Sequence, residues 1–303
     1  MPVATIIIPT RNRPDYVSRL LKRIDAQITE LGEKGGVQVF VSDDSDGDDT
    51  KELIDDEFPD VRYLRGPKHG PGANRNSAAE NSDTDWLIFV DDDCFPKQDW
   101  LVKYLEVFSG NQPGDRVCWV GATVRDGELP SLLYESPHNP EGISGITANF
   151  AISKRTYFEA GKINERFLCA FEDIEFFERC KAQQVDVQPF PQAVVLHPIR
   201  QRPGPARLAA RWQGKVVFAL DQGASPMRVL WNLPLHAALV IKSRFRGEPF
   251  GLDYIRGIYL FGAELMHVLL KTPFWLAHET RLERNQVWVE YLKTNPPVPK
   301  YGF

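Results

Sequence analysis

Trp86-Leu87-Ile88-Phe89-Val90-Asp91-Asp92-Asp93 sets five apolar residues directly against three carboxylates. A short unbroken apolar run of aromatic and branched residues reads as a strand covered on both faces, as in a parallel sheet. Upstream, Ala4–Ile8 has the same character, and Val37–Val41 follows the break at Gly35-Gly36. Between them Pro14 opens a helical pattern in which Val17, Leu20, Leu21, Ile24 and Ile28 recur on one face. A third short strand fits Val61–Leu64, and a helix fits Ala73–Asn81. This alternation predicts an α/β fold with a mainly parallel, Rossmann-like sheet flanked by helices.

Ligands of such sheets bind beyond the carboxyl ends of the strands. The residues at those ends are Pro9-Thr10-Arg11-Asn12-Arg13, Ser42-Asp43-Asp44-Ser45-Asp46 and Asp91-Asp92-Asp93. Carboxylates gathered on one rim repel, so a cation or several hydrogen-bond donors should stand among them. If the strand ran on past Val90, Asp91 and Asp93 would point the same way and could share a hard cation. An acidic turn leading to Pro96 is the competing reading.

Beyond Phe95 the pattern predicts strands at Val117–Thr123 and Ile146–Ile152, a helix at Ile174–Gln183, and a last strand at Ala193–Leu196 ending on His197. From Ala206 onward it is helical and rich in aromatic residues, among them Trp212, Trp231, Tyr259 and Trp275, with an extended tail at Pro296–Pro299. The predicted organisation is a catalytic domain over 1–205, with halves at about 1–110 and 111–205, and a helical extension over 206–303.

The net charge of -5 is unevenly spread. Pro198–Phe250 holds nine Lys and Arg against two acids, leaving residues 1–197 strongly acidic. An acidic N-terminal part argues against nucleic acid as a partner. The four cysteines (Cys94, Cys118, Cys169 and Cys180) form no CxxC pair, which predicts reduced, buried thiols and a cytoplasmic setting. No secretory leader and no membrane span is expected: Val229–Ile241 is the nearest approach, and Pro234 interrupts it. The basic, aromatic segment admits two readings, a helical cap on the acidic core or a peripheral contact at the inner face of a membrane.

Several motifs in order resemble glycosyltransferase family 2 with its GT-A fold. They are Ile6-Ile7-Ile8-Pro9-Thr10-Arg11-Asn12-Arg13, Val41-Ser42-Asp43-Asp44, Asn74-Arg75-Asn76 and Phe89-Val90-Asp91-Asp92-Asp93. Thr147-Ala148-Asn149, Phe171-Glu172-Asp173-Ile174-Glu175 and Val194-Val195-Leu196-His197-Pro198 follow. The resemblance covers about residues 1–215 and implies an inverting, non-processive transfer of a sugar from a nucleotide-diphosphate sugar to an acceptor hydroxyl.

By the same resemblance, Thr10, Arg11, Arg13, Asp43, Arg75, Asp91 and Asp92 would face the nucleotide, and Asp93 and His197 would hold Mn²⁺ or Mg²⁺. Asp173 would be the general base with Glu172 beside it, although from the residues alone a helix-capping carboxylate is the stronger reading of Asp173. Thr147, Asn149, Arg211 and Trp212 would line the sugar and acceptor pocket. UDP is the commonest nucleotide in the family, with dTDP and GDP also used, and the acceptor would be a glycan or a lipid-linked molecule. Asp43-Asp44-Ser45-Asp46 departs from the usual Asp-Asp-Gly-Ser of the family, which leaves the shape of that loop open. The other readings are a sugar nucleotidyltransferase, for which Pro9–Arg13 lacks a glycine-rich pyrophosphate loop, and a degenerate nucleotide-sugar-binding protein.

Overall fold

The computed structural model describes residues 3–32, 36–167 and 170–279. Cys169 and the tail expected at Pro296–Pro299 lie outside them. The chain begins with β1 (Ala4–Thr10), α1 (Pro14–Leu31), β2 (Val37–Asp43), α2 (Asp49–Glu57), β3 (Arg62–Arg65), α3 (Pro71–Asn81) and β4 (Trp86–Val90). It continues with β5 (Phe95–Pro96), α4 (Trp100–Ser109), β6 (Val117–Arg125), β7 (Tyr134–Glu135), β8 (Asn149–Ser153), α5 (Lys154–Glu159) and α6 (Glu172–Ala182). Then come β9 (Asp186–His197), β10 (Arg200–Gln201), α7 (Pro205–Asp221), α8 (Pro226–Arg244) and α9 (Leu252–Glu279).

The large sheet has the order β3-β2-β1-β4-β8-β6-β9-β5. β3, β2, β1 and β4 are parallel neighbours, whereas β8 runs antiparallel to both β4 and β6. The predicted α/β class therefore holds, with a mixed second half. The chain moves outward from β1 to β2 and β3, then returns to place β4 on the other side of β1. That reversal is a topological switch point, where such sheets open a crevice. Thr10 pairs in register with Asp43, and β4 stops at Val90, so the three polar clusters share one rim.

Unbroken apolar strands are explained by the two cores. Ile6, Ile8, Ile88 and Val90 face α1 and α4, where Leu20, Leu21, Trp100 and Tyr104 pack. Ile7, Leu87 and Phe89 face the other way, against Ala78, Tyr157, Phe176 and Phe177 of α3, α5 and α6. β1 and β4 are apolar on both sides because each face is covered, the buried Thr5 being bonded to Ser82 and Thr84. Phe89 and Phe150 stack at 4.4 Å across the β4–β8 pair.

The last strand is much longer than Ala193–Leu196. β9 starts at Asp186, and its register with β6 shifts between Gly121 and Ala122, passing from Phe190 to Val194. Pro189 and Pro191 hid this half, since prolines argue against a central strand. It lies on the open side of β9, where a missing N–H is tolerated: β5 covers only Val195 and Leu196.

Two compact units divide the chain. Among the described residues, the first runs to Asp126, resumes at Pro137 and includes Asp173–Pro198; the second takes Gly127–Ser136, the residues just before Asp173, and the chain from Ile199. In the second, α7, α8 and α9 share a core of Trp212, Val216, Val229, Leu233, Val268 and Leu276. A short ribbon pairs Arg200 of β10 with Glu135 of β7. Glu135 accepts from Arg202 at 2.9 Å and from both terminal nitrogens of Arg211 at 2.9 and 2.7 Å. Cys94, Cys118 and Cys180 are free and buried, and no described helix is long and apolar enough to cross a membrane.

Candidate active site

The aspartates after β4 sit in a turn, closed by Cys94 N–H donating to the Asp91 carbonyl at 3.0 Å. The strand's alternation therefore ends at Val90, and the expected convergence of Asp91 and Asp93 gives way to three separate directions. Asp91 pairs with the buried guanidinium of Arg75. Asp92 turns inward, accepting from Thr10 Oγ1 at 2.7 Å and from Arg13 Nη1 at 3.0 Å. Asp93 accepts from the same Arg13 nitrogen at 3.0 Å and faces His197. Burial, with the charge of Asp93 beside it, pushes the Asp92 carboxyl up to about 7. Thr10 and Asp92, both expected at the nucleotide, are here bonded to each other as a strut between β1 and β4.

The second rim cluster is built around fully buried Asp43. It accepts from Ser45 N–H at 2.8 Å, from the Ser45 hydroxyl, and from Tyr63 OH at 3.2 Å. Tyr63 was not foreseen; its signal is register, since β3 lies parallel to β2 with Tyr63 opposite Val41. Asp44 turns to the next loop and accepts from Lys68 N–H at 2.9 Å. Gly66 has no room for a side chain, since a β-carbon there would run into Asp44 and Asn74. The loop at Ser45 is tied to β1's exit: Asn12 N–H donates to Ser45 Oγ at 2.6 Å, and Asp46 N–H to Asn12 Oδ1 at 3.2 Å. Asn12 adopts a φ of 56° to do so, a region that asparagine tolerates better than most residues. Arg11 is exposed and reaches Asp46 at 3.6 Å.

Asp173 stands in the first turn of α6, and its carboxylate accepts from Ile174 N–H at 2.8 Å. Burial raises its pKa, the Ile174 N–H and Arg75 oppose the rise, and Asp91 adds to it. Arg75, Asp91 and Asp173 thus form one electrostatic group. Phe171, just before the helix, takes a φ of 73°, rare for a bulky side chain and concentrated at functional turns. Glu172 is buried at the helix start. Glu175 belongs elsewhere: it is fully buried in a two-point pair with Arg179, at 2.7 and 2.9 Å.

His197 ends β9 with its Nδ1 2.8 Å from the Pro198 carbonyl. A carbonyl oxygen only accepts, so Nδ1 carries a proton, and Nε2 faces Asp93 Oδ1, 3.3 Å away. A carboxylate oxygen and an imidazole nitrogen so placed can share either a proton or a cation. The donor set of carboxylate oxygen and imidazole nitrogen fits Mn²⁺ or Mg²⁺, with phosphate oxygens and water to complete the shell. Cys94 is grouped with both residues, but burial and the three neighbouring carboxylates push its thiol well above the usual range.

Three residues expected in the sugar and acceptor pocket are committed elsewhere. Asn149 is fully buried, accepts from Trp100 Nε1 and Tyr104 OH at 2.9 Å each, and donates to the carbonyls of Ala122 and Ala193 at 2.9 and 2.8 Å. Its four bonds use the whole capacity of an amide, so it joins strands and is closed to a sugar. Arg211 is held on Glu135, and Trp212 donates to buried Glu264 at 2.9 Å; both tie the helical unit together. Thr147 is buried just before β8.

The sequence profile of glycosyl transferase family 2 matches residues 5–162. A GalNAc(5)-diNAcBac-PP-undecaprenol beta-1,3-glucosyltransferase from Campylobacter jejuni is 30% identical over 98 residues, covering 31% of this chain and 30% of the relative. The matched stretch is thus under a third of that protein's length. The mannosyltransferase PcManGT from Pyrobaculum calidifontis, solved with GDP-Man and Mn²⁺, superposes with a TM-score of 0.52 at 15% identity, covering 98% of this chain and 77% of its own. S. aureus TarS 1-349 with UDP gives 0.53 at 15% identity, covering 97% and 92%. At such identities the likeness speaks for the fold, which is the GT-A fold of the resemblance. The matched profile covers more than half of the sequence, and the chain belongs to glycosyl transferase family 2.

Proposed function

We propose that this chain transfers a sugar from a nucleotide-diphosphate sugar to an acceptor hydroxyl with inversion at the anomeric carbon, using Mn²⁺ or Mg²⁺. The observation that carries the proposal is the approach of His197 Nε2 to Asp93 Oδ1, 3.3 Å apart, with Nδ1 committed to Pro198. Asp93 and His197 would hold the ion, which when bound offsets the charge that grows on the departing diphosphate. Asp173 accepts the proton of the attacking hydroxyl, as the new C–O bond forms and the C–O bond to phosphate breaks on the opposite face. Burial raises its pKa and so makes it a stronger base than an ordinary aspartate, while Arg75 opposes the rise. Glu172 orients the turn that carries it.

Asp43, Arg75 and Asp91 line the nucleotide side, with Arg13 close to the diphosphate; Thr10 and Asp92 fix the floor on which they stand. Solved relatives in fold hold UDP and GDP-Man, and a UDP-sugar is the donor proposed here. A lipid-linked acceptor accords with the named substrate of the Campylobacter jejuni relative. A screen of UDP-, dTDP- and GDP-sugars with Mn²⁺, Mg²⁺ or EDTA tests the reading. Release of nucleoside diphosphate that depends on the metal supports it, and equal turnover in EDTA refutes it.

A further inference from the structure

The outward faces of α8 and α9 are apolar. On α8, Met227, Trp231, Leu235 and Leu239 recur every fourth residue and are exposed, with Trp231 at 73%. Val229, Leu233 and Ala237, on the opposite side of the same helix, fill the core. On α9, Ile255, Tyr259, Met266, Leu270 and Phe274 are exposed, Tyr259 at 75% and Phe274 at 71%, while Phe261, Val268 and Leu276 are packed. A helix that is apolar on both sides has a second non-aqueous surface to meet. Phe250, between the helices, is 80% exposed.

The charges around this surface decide its occupant. Lys242, Arg246 and Lys271 are exposed. Of the acids on the described side chains between Pro226 and His278, Glu248 is half-buried in the loop that carries Arg246, Glu264 is buried against Arg244 and Asp253 is paired with Arg256 at 3.4 Å. A second copy of the chain would bring these cations against their own kind. Anionic lipid headgroups neutralise them, while exposed Trp and Tyr have their preferred place at the boundary between headgroups and acyl chains. No described helix meets the requirement for spanning.

We propose that α8 and α9 form an in-plane docking surface for an anionic bilayer, with Trp231, Tyr259 and Phe274 entering the interface and Lys242, Arg246 and Lys271 meeting headgroups. The proposal is independent of the transfer reaction, since docking can fail while donor turnover persists. The test is sedimentation of the full chain with vesicles of phosphatidylglycerol and phosphatidylcholine, compared with phosphatidylcholine alone, at physiological salt. Brominated lipids quenching the Trp231 fluorescence give a second readout, with Trp231→Phe removing the quenched signal. The wild-type protein is expected to pellet with the anionic vesicles and to be quenched. The triple variant Trp231→Glu/Tyr259→Glu/Phe274→Glu, with an unchanged circular dichroism spectrum, should lose at least about tenfold in vesicle affinity. Lys242→Glu/Arg246→Glu should lose about fivefold per cation on the anionic vesicles only. Wild-type protein that stays in the supernatant and unquenched overturns the proposal, as does a folded triple variant that binds equally well. Light scattering that finds a dimer broken by the triple variant, with no vesicle binding, assigns the surface to a second copy instead.

Discussion

Arg13 Nη1 lies 3.0 Å from a carboxylate oxygen of both Asp92 and Asp93. One guanidinium therefore neutralises two acids whose mutual repulsion would otherwise raise the energy of the turn after β4. Arg13→Met should destabilise the protein by about 1 kcal/mol, a modest figure because the Arg13 side chain is 42% exposed. Divalent metal should offset part of the loss, so Mn²⁺ is expected to raise the melting temperature more in Arg13→Met than in the wild type. Equal shifts in the two proteins would remove Arg13 from the site's charge balance.

Metal binding itself is checked by titration calorimetry with Mn²⁺ in the presence of nucleoside diphosphate. Asp93→Asn and His197→Ala should each weaken the ion by at least about tenfold. Cys94→Ser should leave the affinity as it is, because hard cations such as Mn²⁺ and Mg²⁺ prefer oxygen donors to a soft sulfur. A loss in Cys94→Ser as large as in His197→Ala would give the sulfur a ligand's place.

For Asp173→Asn, turnover should fall by about 10²- to 10⁴-fold with donor affinity unchanged. A base must be unprotonated to act, and burial raises the pKa of Asp173 in the folded protein. The wild-type rate should therefore decline as the pH falls through a midpoint above the ordinary aspartate value of about 3.9. The residual rate of Asp173→Asn should lack that limb. A variant retaining normal transfer would mean that the proton goes elsewhere.

Asn149→Ala leaves the Trp100 indole N–H and the Tyr104 hydroxyl, both buried, without their acceptor. A buried donor left unsatisfied costs about 1–3 kcal/mol, and the loss in unfolding free energy by urea denaturation should reach at least that range. The donor KM of the folded enzyme should not move. A stable variant with a raised KM would return Asn149 to the sugar pocket.

Glu135 is held below the usual carboxylate range: burial alone would raise it, but Arg211, Arg202 and Arg200 together outweigh that. A lowered pKa contributes stability above the unfolded value of about 4.3, and that stability is lost as the pH falls through the folded value. Glu135→Gln should melt earlier than wild type at pH 7 and converge with it in acid. A constant gap at all pH values would show that charge is not what Glu135 supplies.

The parallel half of the fold was legible because burial on both faces writes itself as unbroken apolar runs, and Ala4–Ile8 and Trp86–Val90 could be read directly. The rim followed from topology, since ligand-facing residues come just after such strands. What stayed hidden had opposite physical causes. Half of β9 carries prolines, and α2 is a short charged helix with only Thr50 and Ile54 buried. Side-chain direction within the site was the least legible of all. One turn at Cys94 N–H separates Asp91 from Asp93, and nothing in Asp-Asp-Asp announces where a strand stops. Asn149 has the composition of a binding residue and the bonding of a structural one, a difference that depends on Trp100 and Tyr104 arriving from α4.

The register shift in β9 has a bearing on how this chain tolerates change in length. Three residues, Pro191 to Ala193, stand outside the ladder with β6, and pairing resumes at Ala122 with Val194 and runs to Arg125 with His197. The imidazole is thus positioned by counting back from the end of the strand, independently of what precedes Val194. Residues gained or lost at the exposed Pro191 and Gln192 would be absorbed in the bulge, whereas Ala193 is fixed by Asn149 at its carbonyl. The chain carries a slack point a few residues before His197, where a change in length need not displace the imidazole.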